Sequence, residues 1–144
     1  MAKSKDLTFY RSLAFQAQDD GIRFIHSFLE AKEKSMQVSA TENDVDKLMD
    51  FYADSLLYEH QLSPEKKFSF SGKNDLQRGI VSHLGETKNV KITLRRFMKK
   101  QNLIVAEYTL HRIITENGKI ENNNILSLIE LDNKGKIKRM VNYL

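Results

Sequence analysis

Two side chains stand out for the chemistry they could do, His60 and Arg112. Leu56, Tyr58 and His60 alternate with Leu57 and Glu59, so the first three share one side of a short strand. An imidazole on such a side titrates near neutral pH and can act as general base or acid. The competing reading is a strand-end histidine that meets solvent or a backbone carbonyl. Arg112 stands between Leu110 and Ile114 at alternate positions. Its guanidinium can clamp a carboxylate or phosphate. It reads also as a rim arginine paired with an acid, and a one-residue slip in parity would turn it outward. His26 and His83 fall in helical segments, and His111 faces away from Arg112. No His/Asp/Glu spacing marks a metal site, so neither metal nor cofactor is expected. With no cysteine in the chain, disulfides and thiolate nucleophiles are excluded. No glycine-rich phosphate loop appears, and no serine sits in a nucleophile elbow.

The elements that must position these groups follow from periodicity. From Asp20 to about Gln37, Ile22, Ile25, Phe28-Leu29 and Met36 recur at helical spacing, with Phe24 widening the apolar side. Asp19-Asp20 suit the positive end of that helix. Asn43 or Asp44 is expected to cap a second helix striped by Val45, Leu48-Met49 and Tyr52. The short strand around Leu56 to His60 follows, then a loop at Pro64 and Glu65-Lys66-Lys67. Asn74 or Asp75 opens a third helix carrying Leu76, Ile80, Val81 and Leu84. Four strands complete the chain: Val90 to Phe97, Leu103 to Thr115, about Asn123 to Leu131, and Ile137 to Leu144. Their links, such as Glu116-Asn117-Gly118-Lys119 and Asp132-Asn133-Lys134-Gly135, have turn chemistry and are short, which implies antiparallel neighbours. Helices followed by a meander give an α+β layer packing.

Three stretches carry a family likeness. Asp44-Val45-Asp46-Lys47-Leu48-Met49-Asp50-Phe51-Tyr52-Ala53-Asp54 runs from the second helix into the first strand. Ser71-Gly72-Lys73-Asn74-Asp75-Leu76 leads into the third helix, and Asp132-Asn133-Lys134-Gly135-Lys136-Ile137 is the last turn. In this order they resemble the nuclear transport factor two-like superfamily, which includes SnoaL-like polyketide cyclases, ketosteroid isomerases and scytalone dehydratase. The resemblance implies an α+β cone of the cystatin-like kind, with N-terminal helices packed on a strongly curved antiparallel sheet. Residues 19–144 would form that SnoaL-like domain, with residues 1–18 as an N-terminal helical arm or extension. It also implies a pocket between helices and sheet, and a dimer through the outer side.

Strand parity then names the lining: Tyr58 and His60, Tyr108, Leu110, Arg112 and Ile114, Ile125, Ser127 and Ile129, Met140, Asn142 and Leu144. The binding set expected from it is Tyr58, Tyr108, Leu110, Arg112, Ser127, Met140 and Asn142, with His60 as the candidate catalytic residue. Carried over from ketosteroid isomerase, the base position falls on His60, the hydrogen-bonding acid on Ser127, and the oxyanion tyrosine near Met36. That chemistry needs a base and strong acid donors on the developing enolate, and this set does not supply them. Limonene-epoxide hydrolase-type sites use an Asp-Arg-Asp arrangement. No inward acid is expected beside Arg112, which disfavours it. Paired histidines of the scytalone dehydratase kind would be divided between the two sides of the sheet at His60 and His111.

The 144 residues, 40% hydrophobic and 29% charged, fit one domain with a real core. The net charge of +4 is dispersed, without the dense basic stripe and interleaved aromatics of a nucleic-acid binder. Apolar runs stay far below the ~20 residues of a membrane-spanning helix. No nucleic acid or membrane partner is therefore expected. No signal peptide is visible, and a cytoplasmic location is the simplest expectation. The function expected first is binding of a small, largely apolar ligand, with Arg112 available to an anionic group. A small lyase or isomerase with His60 as general base is the alternative, and a protein-interaction or dimerisation module the third. Val105, Thr109 and Ile113 on the outer side would be covered by a second copy.

Overall fold

The computed structural model describes residues 20–144. The arm expected over residues 1–18 lies outside the described residues. A first helix, α1 (residues 20–36), buries Ile25, Phe28 and Leu29 against the sheet. These positions recur at three- and four-residue steps, so they form one stripe; each fully buried large apolar side chain is worth ~1.5–3 kcal/mol. Gly21, at the start of α1, has no room for a side chain: a Cβ there would lie 2.6 Å from Phe97 Cζ. Helix α2 (Glu42–Met49) begins at Thr41, not at Asn43 or Asp44. Asp44 instead reaches back, its carboxylate accepting the Thr41 N–H at 2.9 Å and the Thr41 hydroxyl at 3.2 Å.

Strand β1 (Tyr52–Gln61) and strand β2 (Lys67–Ser71) form a hairpin, then helix α3 (Lys73–Ser82) crosses to the far edge. Gly72, at φ +91°, makes the turn into α3, a backbone conformation that favours glycine. The meander follows as β3 (Thr87–Lys100), β4 (Leu103–Ile114), β5 (Ile120–Leu131) and β6 (Ile137–Tyr143). One six-stranded curved sheet results, in the order β2-β1-β6-β5-β4-β3. Register shifts in β1, β3 and β5–β6 mark the irregularities that bend it.

Two features depart from the sequence reading. The segment after Pro64 continues into β2, where Phe68 and Phe70 pair with His60 and Tyr58. The sheet is also mixed, because β1 and β6 run parallel. The chain crosses to the far edge after β2 and works back strand by strand, which brings β6 beside β1 in the same direction.

The concave side faces α1 and carries the core. Phe28 meets Phe51 and Tyr52 edge-on at 5.6 and 5.8 Å, and Tyr52 meets Tyr58 at 6.3 Å. The end of α1 also covers the free edge of β3. Gln37 receives the Val90 N–H at 3.1 Å and donates to the Val90 carbonyl at 2.8 Å, as a neighbouring strand would. No described helix is long and apolar enough to cross a membrane.

Candidate functional site

Strand register places the expected residues on one side. His60 pairs with Asn142, Asn142 with Ser127, and Ser127 with Ala106, so one row of the sheet carries three polar groups inward. Tyr58 pairs with Met140 and Met140 with Ile129 in the row below, while Tyr108 pairs with Ile125 in the row above. Further along β4, Leu110 and Arg112 follow on the same side, Arg112 opposite Glu121.

Burial divides this set. Tyr108, Ser127, Met140 and Asn142 are completely shielded, and Tyr58 and Leu110 nearly so. Leu110 and Met140 therefore act as core, and the Met140 sulfur faces the Tyr52 hydroxyl at 3.8 Å. Solvent reaches the concave side around His60, Phe68, Arg112 and Glu121, which are half-buried or exposed. The His60 ring lies 4.9 Å from Phe68 and 5.1 Å from Tyr58, between the covered interior and the rim.

The buried polar side chains form a continuous chain. Tyr108 Oη lies 3.0 Å from Ser127 Oγ, and Ser127 Oγ donates to Asn142 Oδ1 at 2.5 Å. Asn142 Nδ2 donates to the Tyr58 hydroxyl at 2.8 Å, which in turn lies 3.2 Å from His60 Nε2. Such groups are tolerated in a core only when bonded to one another. His60 Nδ1, also buried, has no protein partner among the described residues.

Sequence reasoning missed the far end of this chain. Lys32 Nζ donates to the Tyr108 hydroxyl at 3.3 Å and lies 5.5 Å from the centre of the Tyr108 ring. The signal was present: Lys32 continues the 25, 28, 29, 36 stripe of α1, a lysine where periodicity calls for an apolar residue. Met36, the position carried over for an oxyanion tyrosine, only packs against the core. No carboxylate of the described residues pairs with Lys32.

Arg112 corrects a second expectation. An inward acid does sit beside it, since Arg112 Nε donates to Glu121 Oε1 at 2.8 Å with both side chains under a third exposed. Glu121 has the parity of Ile125 and Ser127, so strand parity alone puts it on the inner side. The pair supplies one acid, not the two of an Asp-Arg-Asp arrangement. His111 lies on the outer side as expected, bonded to Asn122 at 2.7 Å.

The electrostatics follow from this geometry. Burial, then the positive charges of Lys32 and Arg112, lower the His60 pKa to about 4, so the imidazole is neutral at pH 7. Burial works against the Lys32 ammonium, but Tyr108 and Tyr58 outweigh it and the pKa is raised. Burial raises the Tyr58 hydroxyl, with Lys32 opposing, and lifts Tyr52 well above the usual tyrosine range. The concave side thus holds Lys32, Arg112 and Glu121 beside tyrosine hydroxyls and a neutral imidazole. Among the described residues no His/Cys/Asp/Glu group could hold a metal ion. A separate depression of about 530 Å³, between α2 and α3 at Glu42, Gln77 and Arg78, is open and lies away from these groups.

An α+β cone with a polar chain on its concave side defines the class. Residues 33–140 match the model of the SnoaL-like domain family, and the chain belongs to that family. No curated protein matches the sequence. Among solved structures it is similar to an LEH-like epoxide hydrolase of M. tuberculosis, with 18% identity, TM-score 0.65, and coverage of 87% of this chain and 82% of that one. A protein of ketosteroid isomerase-like fold from Catenulispora acidiphila DSM 44928, solved with trimethylamine, has 12% identity, TM-score 0.63, and coverage of 81% and 84%. An NTF2-like protein of unknown function from Exiguobacterium sp. 255-15 has 12% identity, TM-score 0.60, and coverage of 80% and 95%. At these identities the likeness is one of fold.

Proposed function

We propose that this chain binds a small, largely apolar ligand at the rim of the concave side, with an electron-rich or anionic group turned toward His60 and Arg112. The observation that carries the reading is the buried polar chain, which ends on Nε2 of the His60 ring and leaves its other nitrogen, Nδ1, without a protein partner. The excess positive charge from Lys32 and Arg112 over Glu121 supports the anionic group, and Phe68 supplies an apolar wall. Small-molecule sites are commonly built this way, from apolar walls with a few convergent polar groups. A thermal-shift screen of matched aromatic acids and their amides tests it. Stabilisation by the acids that is weakened in Arg112→Met supports the reading, and equal indifference to both series would sink it.

The second reading is a small lyase or isomerase using His60, favoured by the direct contact of its imidazole with the Tyr58 hydroxyl. A pKa of about 4 makes that imidazole a weak base at neutral pH. Turnover of an enolisable or epoxide substrate that is abolished in His60→Ala would favour this reading over simple binding.

We also propose a homodimer through the outer side of the sheet. Met98, Leu103, Leu126 and Tyr143 are exposed there, beside half-buried Val105 and Leu128. A contiguous apolar sheet surface of this kind is usually covered, and a twofold pair is the simplest closed arrangement.

A further inference from the structure

From the order of donors in the buried chain we infer that Lys32 fixes the tautomer of His60, so that His60 presents an Nδ1–H donor to a ligand's hydrogen-bond acceptor. A lysine ammonium can only donate, so the Tyr108 oxygen accepts from Lys32 and the Tyr108 proton must go elsewhere. Ser127 Oγ, 3.0 Å away, is the acceptor. The single Ser127 proton then goes to Asn142 Oδ1, which leaves the Asn142 NH₂ to donate to the Tyr58 oxygen. The Tyr58 proton has one acceptor left, His60 Nε2. An imidazole that is neutral and accepts at Nε2 carries its hydrogen on Nδ1, the atom without a protein partner.

This order and its reverse both make five hydrogen bonds and differ in where the leftover proton lies: at His60 Nδ1, beside the rim, or on Tyr108, deep in the core. With Asn142 turned over, its NH₂ donates to Ser127, and Ser127 donates to Tyr108. The Tyr108 oxygen then accepts twice, and its own proton is left inside a fully shielded side chain without an acceptor. What blocks the reversed order is that the Lys32 ammonium cannot accept the Tyr108 proton, so a residue on α1 decides what His60 offers on β1. The Asn142 amide holds the direction of the bonds but does not pass a proton, so the chain orients rather than conducts. This assignment rests on the binding reading for its ligand and extends it: the group bound at His60 is an acceptor, such as a ketone or ester carbonyl or a carboxylate, and not a hydroxyl or amine acting as donor.

The tautomer is read directly from the ¹⁵N shifts of the His60 ring at pH 7 in wild type and in Lys32→Gln, whose amide oxygen can accept the Tyr108 proton. The expected result is Nδ1–H in wild type and a shift toward Nε2–H in Lys32→Gln. Nε2–H in wild type overturns the assignment, and an unchanged tautomer in a folded Lys32→Gln overturns the role of Lys32. Ser127→Ala, which cuts the chain, is the second variant and should loosen the preference in the same direction. Titration with acetophenone against ethylbenzene tests the ligand class: the ketone alone should move the His60 Nδ1–H resonance. An equal effect of both compounds, or of neither, overturns that part. A negative thermal-shift screen with Nδ1–H retained would count against binding while leaving the tautomer in place.

Discussion

Lys32 Nζ lies 3.3 Å from the Tyr108 hydroxyl and 5.5 Å from the centre of its ring, joining helix α1 to strand β4. An ammonium in this position has lost much of its water and has no carboxylate of the described residues to pair with. Phenol oxygen and ring face replace the lost hydration, and the cost is met by the core that α1 builds around it. The same charge bears on His60 together with Arg112, so one lysine touches both the stability and the chemistry of the concave side.

Replacing Lys32 by Met removes one of the two cations that depress His60. Its pKa should rise from about 4 but remain below the ordinary histidine value near 6.5, because burial is the larger cause. An NMR titration of the His60 ring checks this. A full return to the ordinary value would show that burial had been overweighted.

Acid should destabilise the fold through His60. Its folded pKa, about 4, lies below its unfolded value of 6.5, so between these pH values the unfolded chain takes up a proton that the native state refuses. Above pH 6.5 both states are neutral there and the group contributes no pH dependence. Stability is therefore lost as pH falls from 6.5 toward 4. Denaturant unfolding across this range should show a shallower fall in His60→Gln than in wild type.

How far this was legible in the sequence depends on the residue. Alternation in β4 and β5 gave the inward set, because a strand's period of two leaves little freedom once a short turn fixes the register. Glu121 has the right parity, but its place beside Arg112 depends on the cross-strand register of β4 and β5 and not on neighbours along either strand. Strand β2 was hidden by Pro64 and the lysines that follow, although Phe68-Ser69-Phe70-Ser71 alternates. The parallel pairing of β1 with β6 is a long-range outcome of chain crossing, and no local pattern encodes it. Lys32 was legible only as a break in an apolar stripe. Hydrogen-bond order, on which the role proposed for His60 rests, depends on distances that no spacing rule supplies.

Ser127→Ala should lower stability by about 1–3 kcal/mol, far more than a serine-to-alanine change at the surface. It leaves the Tyr108 hydroxyl and Asn142 Oδ1 without their buried partner. Chemical denaturation measures the difference. A loss below about 0.5 kcal/mol would mean that water or rearrangement restores the bonds.

The outer side makes a separate prediction. Wild type should run as a dimer at micromolar concentration, and Leu126→Lys or Met98→Lys should shift it to monomer without unfolding it. Size-exclusion chromatography with light scattering decides, and a monomeric wild type would contradict the dimer.

The binding site is tested most directly by backbone amide NMR of wild type titrated with an apolar aromatic acid such as cinnamate. Saturable shifts should cluster at Tyr58, His60, Phe68, Arg112 and Glu121, and weaken in Arg112→Met. Shifts confined to the α2–α3 depression or the outer side, with the concave residues unmoved, would contradict the proposed site.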